Sequence, residues 1–369
     1  MTAPRKIVLI LGNGFDLDLG RETSYASFYR SDYCPKQYPA PLVKHLNDFR
    51  SQDRNSVRWL DIENELFDYY HNTVIHRGYD LLDPTESKFL SIFDPTIRDR
   101  SFYDSEYSQQ IRSLQEKGLI TVDRSWSAHI NVPYLEDLRK NVFYRDHFAF
   151  KLIKQGLCDY LKSIAAVPLT TPAPFATTLL YVLSLSVKEG SELLIFSFNY
   201  TDLPSPYNIS FKDQLTFIHG SIASDNIIIG TREGNRPYMQ EYEFLQKSFD
   251  PKYAPPALSD DLLAADDVIF FGHSFGQNDR QYFKQLFSRQ ISDSPKKAHI
   301  SIFTKDDSAV ASLKRELQIQ TGQNLTAFLA TGAPFYKTDE IKVDGKVVTP
   351  FLTRILSNPD TIDQVLRKL

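Results

Sequence analysis

Apolar residues are distributed in two ways along this chain, and the change of pattern divides it. Within residues 6–11, KIVLIL, Ile7 to Leu11 form one continuous apolar run that stops at Gly12-Asn13-Gly14. Such a run predicts a strand buried on both faces, ending in a tight turn. From there to about residue 190 the spacing is helical. ETSYASFYR, with Thr23 or Ser24 as cap, predicts a helix to about Arg30. Residues 31–60 are polar and contain proline, and WLDIENELFDYY then predicts an amphipathic helix. Residues 83–130 are mixed and charged, with no clear strand. Residues 141–165 carry Phe148, Leu152, Leu157 and Leu161 near helical spacing, and a further helix starts after Pro172 and Pro174 and stops at Gly190.

Beyond residue 190 short apolar runs return, each ending at glycine or a polar residue. They are ELLIFSFNY (192–200), LTFIHG (215–220), NIIIG (226–230), DVIFFGHSFG (267–276), AHISIFT (298–304) and NLTAFLA (324–330). These predict parallel strands, and the Asp-Gly of KVDGKVV predicts a two-residue hairpin. The predicted fold is α/β: a Rossmann-like, mostly parallel sheet with a large helical insertion after the first strand. Residues 1–30 and 191–369 would form the α/β domain and 31–190 the helical insertion.

Composition changes this picture little. The chain has 369 residues, 42% hydrophobic and 24% charged, with a net charge of −4. That charge gives no bulk attraction to nucleic acid or anionic lipid. Cys34 and Cys158 form no zinc spacing and are expected as unlinked thiols in a cytoplasmic protein. No signal peptide or membrane span is predicted.

Ligands of open parallel sheets bind at the carboxyl ends of the strands, so chemistry is sought there. The first strand ends in Gly12, Asn13 and Gly14, where a backbone can approach a phosphate, with Asp16 just beyond. The later runs end in Asn199, in His219-Gly220, and in Gly272-His273-Ser274 with Gly276 and Asp279. A dehydrogenase fingerprint fails, because position 17 is Leu and no strand follows within about 30 residues. GHSFG has the outline of a nucleophile elbow around Ser274, but the only later histidine is His299, and no acid-bearing loop stands out between them. No His/Asp pair shows metal-ligand spacing. Trp59, Asp61 and Glu63 leave two possibilities: an anchoring tryptophan with solvated carboxylates, or a Glu63 that reaches into the cleft from a helical lid.

Taken together, GNGFDLDLG followed by TSYASF, then WLDIENEL, FNYTD, IHGS and GHSFGQNDRQYF resemble the blocks of the bacteriophage abortive-infection AbiH family, over residues 6 to about 287. Arg21 stands where the family usually has Leu. The blocks also look distantly like the sirtuin-like NAD-binding fold, though with Asn-Tyr-Thr-Asp for Asn-Tyr-Asp, so Asp202 takes no role. No zinc module is present, so a protein deacetylase is not implied. The resemblance implies an antiphage protein that cleaves the nicotinamide glycosidic bond of NAD+ on infection. Asn199 and His219 would be catalytic, and Asp16 would hold the ribose or carboxamide near the developing cation. In this picture Asn199 orients water or a ribose hydroxyl, and His219 is the general base. Gly12, Asn13, Gly14, Phe15, Gly220, Gly272, His273, Ser274 and Asp279 would line the nucleotide. Alternatives are a nucleotide-binding defence sensor without catalysis and, further off, a serine hydrolase using Ser274. A phage-derived trigger and a homo-oligomer are the partners to expect, with no membrane and no direct nucleic-acid contact.

Overall fold

The computed structural model describes residues 4–52, 61–74, 120–122, 128–130, 132–167, 174–204, 210–232, 238–254 and 257–369. Trp59 lies outside them. The continuous apolar runs form a six-stranded, all-parallel sheet. Its strands are β1 (Lys6–Leu11), β4 (Glu192–Ser197), β5 (Leu215–Phe217), β6 (Asp267–Phe271), β7 (His299–Thr304) and β8 (Phe335–Lys337), in the order β5-β4-β1-β6-β7-β8. β2 (Ile120–Val122) and β3 (Ala128–Ile130) make a separate antiparallel pair, in a stretch where the sequence shows no clear strand. Counting only the sheet's own strands, the spatial order is third, second, first, fourth, fifth, sixth, the doubly wound Rossmann-like arrangement. β1 is therefore central, with Leu11 beside Ser197 on one flank and Phe271 on the other.

β1 shows why a two-sided strand reads as an unbroken apolar run. Ile7, Leu9 and Leu11 face one layer, and Val8 and Ile10 face the other, as alternation along a strand requires. The helices, numbered in chain order, are α1 (Asn13–Asp18), α2 (Tyr25–Arg30), α3 (Pro41–Gln52), α4 (Ile62–Asp68), α5 (Val132–Ala165), α6 (Phe175–Lys188), α7 (Leu258–Ala264), α8 (Arg280–Ile291), α9 (Asp307–Gln320), α10 (Leu325–Ala330), α11 (Thr338–Ile341), α12 (Thr349–Ile355) and α13 (Pro359–Leu366). On the Leu9 side α6 packs Leu179 and Leu183 against the sheet, with Phe351 and Val365 from α12 and α13. On the Val8 side α7, α8 and α9 bring Leu262, Phe283, Phe287 and Leu317.

A third apolar cluster belongs to the helical layer. α2, α3, α4 and α5 bury Phe28, Leu42, Ile62, Leu66 and Leu157 together with Ile227, Ile229, Tyr242 and Leu245 from the loops after β5. α5 presents Val142, Asp146, Ala149, Ile153, Leu157 and Leu161 inward; of the predicted stripe Leu157 and Leu161 are buried, Leu152 is half-buried and Phe148 is exposed. Asp146 is fully buried. Its carboxylate accepts from the Leu42 N–H at 2.9 Å, the Tyr69 O–H at 2.5 Å and the Tyr242 O–H at 2.8 Å. Burial raises its pKa above the usual carboxylate value, against the pull of those donors. Tyr69 sits where α4 widens into a π-helical turn, Tyr69–Val74.

Three predicted elements differ. NIIIG runs extended but joins no ladder: Ile227 and Ile229 point into the helical-layer core, and the Ile228 N–H donates to the His219 carbonyl at 2.8 Å. NLTAFLA is helical, forming α10, because Phe328 fills a gap against Phe287 on α8; the edge strand is β8 instead. KVDGKVV is no hairpin: the Asp344 side chain accepts from the Lys346 N–H and starts a 3-10 turn, Gly345–Val348. Cys34 and Cys158 are both buried, and neither forms a disulfide.

Candidate functional site

The strand order reverses between β1 and β6, so the carboxyl ends of these two strands flank the crevice where sheets of this kind bind ligands. Here the two ends touch. The Gly12 N–H donates to the Phe271 carbonyl at 2.9 Å and the Gly14 N–H to the Gly272 carbonyl at 3.0 Å. A Cβ at Gly12 would lie 2.5 Å from the His273 Cα, and one at Gly14 2.6 Å from the Gly272 Cα. The glycines of the first turn thus serve backbone-to-backbone contact, and these two N–H groups already have partners. Phe15 turns inward, edge-on to Phe271.

The Asn199 amide N–H donates to the Gly12 carbonyl at 3.0 Å, tying the end of β4 to the same turn. Asp16 is buried. It accepts from the Thr201 hydroxyl at 2.6 Å and from Arg21 at 3.1 Å, and Arg21 also donates to the Asp202 carbonyl. Burial raises the Asp16 pKa, opposed by Thr201 and Arg21. Asn13 accepts from the Thr23 hydroxyl at 2.6 Å. Asp16, Asn13 and Asn199 therefore brace the turn. Gly220, at φ +75°, lets the chain after His219 fold back on Asn226.

The charged groups gather one step further out. His219 follows β5, and its Nε2 lies 3.3 Å from Asp279 Oδ1. His273 follows β6, and its Nε2 lies 3.5 Å from the other Asp279 oxygen. The His273 Nδ1 accepts the Phe275 N–H at 3.0 Å, which leaves the ring proton on Nε2 and directs it at Asp279. Lys247, in the 3-10 turn Lys247–Phe249, reaches the same place: its Nζ lies 3.2 Å from His219 Nε2 and 3.9 Å from Asp279. Glu63 completes the group from α4, with Oε2 2.9 Å from Lys247 Nζ. The backbone there is set by Asp61, whose side chain caps α4 by accepting from the N–H groups of Glu63 and Asn64. Asn278 donates to Asn64 at 3.3 Å, joining α4 to the Asp279 loop.

His219, His273, Lys247 and Glu63 are each 7% exposed or less. Burial pushes the Glu63 carboxyl up, against the pull of Lys247. Burial also works against the Lys247 ammonium, but Glu63 and Asp279 outweigh it and raise its pKa. At Asp279 burial is likewise overcome, by Lys247 and the two histidines, and the carboxyl is held far below its usual range. The hydroxyls of Tyr25 and Tyr200, bonded to each other beside Glu63, are pushed well above the usual tyrosine value by burial and by the nearby carboxylates.

The sequence-predicted residues thus fall into two sets. His219, His273 and Asp279 meet. Asn199, Asp16, Gly12, Asn13, Gly14 and Gly272 form the brace beneath them, with Ser274 exposed at the rim. His299 starts β7, opposite Asp267, so it lies at the amino end of the sheet, whereas Ser274 lies beyond the carboxyl end of β6, a strand about 13 Å long at the rise per residue of a parallel strand. Lys247 is a member that sequence reasoning missed, since no apolar run or motif ends at it. Glu63 is the carboxylate that reaches in from the helical layer. Among the described residues no group of three or more His, Cys, Asp or Glu is arranged to hold a metal, and no helix is long and apolar enough to cross a membrane.

A family model, bacteriophage abortive infection AbiH, matches residues 8–301. No curated protein and no solved structure matches the chain.

Proposed function

The chain belongs to the bacteriophage abortive-infection AbiH family, which gives it a role in abortive infection, and we propose that it fills this role by hydrolysing the nicotinamide N-glycosidic bond of NAD+. One observation carries this reading. At the switch point of the sheet, three buried or half-buried carboxylates, Asp61, Glu63 and Asp279, surround a single ammonium and two imidazoles. Such a site favours positive charge, which the pyridinium ribose of NAD+ brings and the oxocarbenium-like transition state concentrates at C1′.

The chemistry asks little more. A water oxygen bonds to C1′ as the C1′–N bond breaks. The bond's electron pair stays on nicotinamide, which leaves neutral, and one water proton passes to a base. His219 is that base, with Asp279 taking its Nε2–H and Nδ1 facing the water. Nδ1 is buried and has no partner among the described residues. Asn199 and Asp16 act by holding the turn through Gly12 and Arg21.

The test is mass spectrometry of the full chain incubated with NAD+. Nicotinamide and ADP-ribose should appear in equal amounts, and His219→Asn and Asp279→Asn should each lower the rate by about 100-fold or more. Full phage defence with NAD+ left intact during infection would sink the reading. The burial of all four side chains favours a second one, a sensor in which nucleotide binding shifts the helical layer without cleavage. Ligand bound and recovered unchanged after long incubation would select it.

A further inference from the structure

Two groups compete for one nitrogen at the centre of this site. His219 Nε2 faces Lys247 Nζ at 3.2 Å and Asp279 Oδ1 at 3.3 Å. An ammonium has only protons to offer and needs a lone pair on Nε2; a carboxylate has only lone pairs and needs a proton there. Both cannot be served by one neutral ring.

We propose that Lys247 wins this competition in the arrangement described, holding His219 as the Nδ1–H tautomer, so that the site rests in a restrained form until the Glu63–Lys247 pair is drawn away. Lys247 is then a positioning residue that acts through His219. The inference rests on the reading of His219 as the base. With Nε2 accepting from Lys247, the ring proton sits on Nδ1, and the atom that would face water is a donor without a lone pair. It cannot take a proton. When Lys247 leaves, Asp279 takes Nε2–H and Nδ1 gains the lone pair that general-base work needs.

Three further observations support this. Glu63 Oε2 holds Lys247 Nζ at 2.9 Å and fixes its direction. His273 already serves Asp279 with its own Nε2–H, so Asp279 is not left without a donor while Lys247 occupies His219. Among the described residues Phe198 and Tyr282 make ring contacts with the imidazole.

The two halves of the competition also belong to different layers. Glu63 is flanked by Ile62 and Leu66, and Lys247 follows Tyr242 and Leu245, all fully buried in the helical-layer core. Lys154 on α5 pairs with Asp250 just beyond. His219, His273 and Asp279 follow strands of the sheet or precede α8. A shift of the helical layer against the sheet therefore carries Lys247 and Glu63 off together as an ion pair and leaves the Asp279 carboxylate to the Nε2–H donors of His273 and His219.

The deciding measurement is the tautomer of His219, read from ring 15N shifts of the full chain at about pH 8.5, about two units above the ordinary value of a free imidazole. His219→Asn assigns the signal by removing it. The expected result is Nδ1–H in the wild type and Nε2–H in the double variant Lys247→Met, Glu63→Gln, which removes both charges of the pair at once and is checked for folding by its thermal melt. Lys247→Arg, which keeps a cationic donor, should retain the wild-type pattern. A wild type already carrying Nε2–H, or a folded double variant that keeps Nδ1–H, overturns the inference. NAD+ turnover is measured on the same samples and should rise at least tenfold in the double variant. A tautomer switch without any turnover would uphold the role of Lys247 and count against NAD+ as the substrate.

Discussion

Alanine at Gly272 is expected to break the switch point. The residue sits at φ +62°, and a Cβ there would lie 2.4 Å from the Gly14 Cα and 2.5 Å from its carbonyl carbon. Strain and overlap add, so the substitution should cost at least about 2 kcal/mol. Gly190→Ala is the control. Gly190 has φ +98° with nothing within 4 Å, so only the backbone term applies and the loss should be about 1 kcal/mol. Denaturant midpoints of the two variants measure the difference. This pair of cases also shows what a sequence discloses about a site. Gly12-Asn13-Gly14 was legible as a turn built for close approach, but what it approaches is Gly272, and no local pattern announces a contact between two strand ends that far apart in the chain. His219 and His273 were legible because each terminates an apolar run. Lys247 was not, because its meaning comes from a partner on a different layer, and a lysine in a short 3-10 turn looks like any solvated one.

At the scale of elements, α2 depends on its first residue. The Ser24 hydroxyl accepts the Ser27 N–H at 3.1 Å, and Ser24→Ala should cost about 1 kcal/mol in a urea melt. Serine followed by an apolar-periodic stretch is a local signal, and the sequence carried it. Strands β1, β4, β6 and β7 were equally plain, since burial on both faces leaves no polar position to interrupt the run. NIIIG and NLTAFLA are both short, mostly apolar runs, and they came out differently. An apolar run of five to seven residues fits a buried strand, a buried helix or a lining segment, and neighbours choose among them. Ile227 and Ile229 are claimed by the helical layer, and Phe328 by Phe287. The short edge strand β8, only three residues long, has too little pattern to be seen.

At the scale of the molecule, the helical layer is gathered around one carboxylate. Asp146 on α5 collects donors from α3, from the π-helical turn and from the Tyr242 segment. Asp146→Asn should lose about 1–3 kcal/mol, because one acceptor oxygen cannot serve three donors. The margin should also depend on pH. Burial raises the Asp146 pKa in the folded state above 3.8, so the folded protein holds this proton more tightly than the unfolded chain. Its contribution to stability grows as pH falls from the raised value towards 3.8 and is flat below. Chemical melts at neutral and mildly acidic pH should therefore show the wild type's advantage over Asp146→Asn widening on acidification; a constant margin would contradict the shift. The strand order has a consequence in time as well as in space. β1 is made first, yet both of its neighbours, β4 and β6, are encoded after the helical layer, and Asp279 comes later still. A nascent chain on the ribosome must keep Ile7–Leu11 unpaired through about half of its synthesis, which invites chaperone capture. It also cannot assemble the histidine–aspartate pair until about three-quarters of the chain has been made. A translation product cut short before that point lacks Asp279 and α8, so the cluster of His219, His273 and Asp279 cannot form on it.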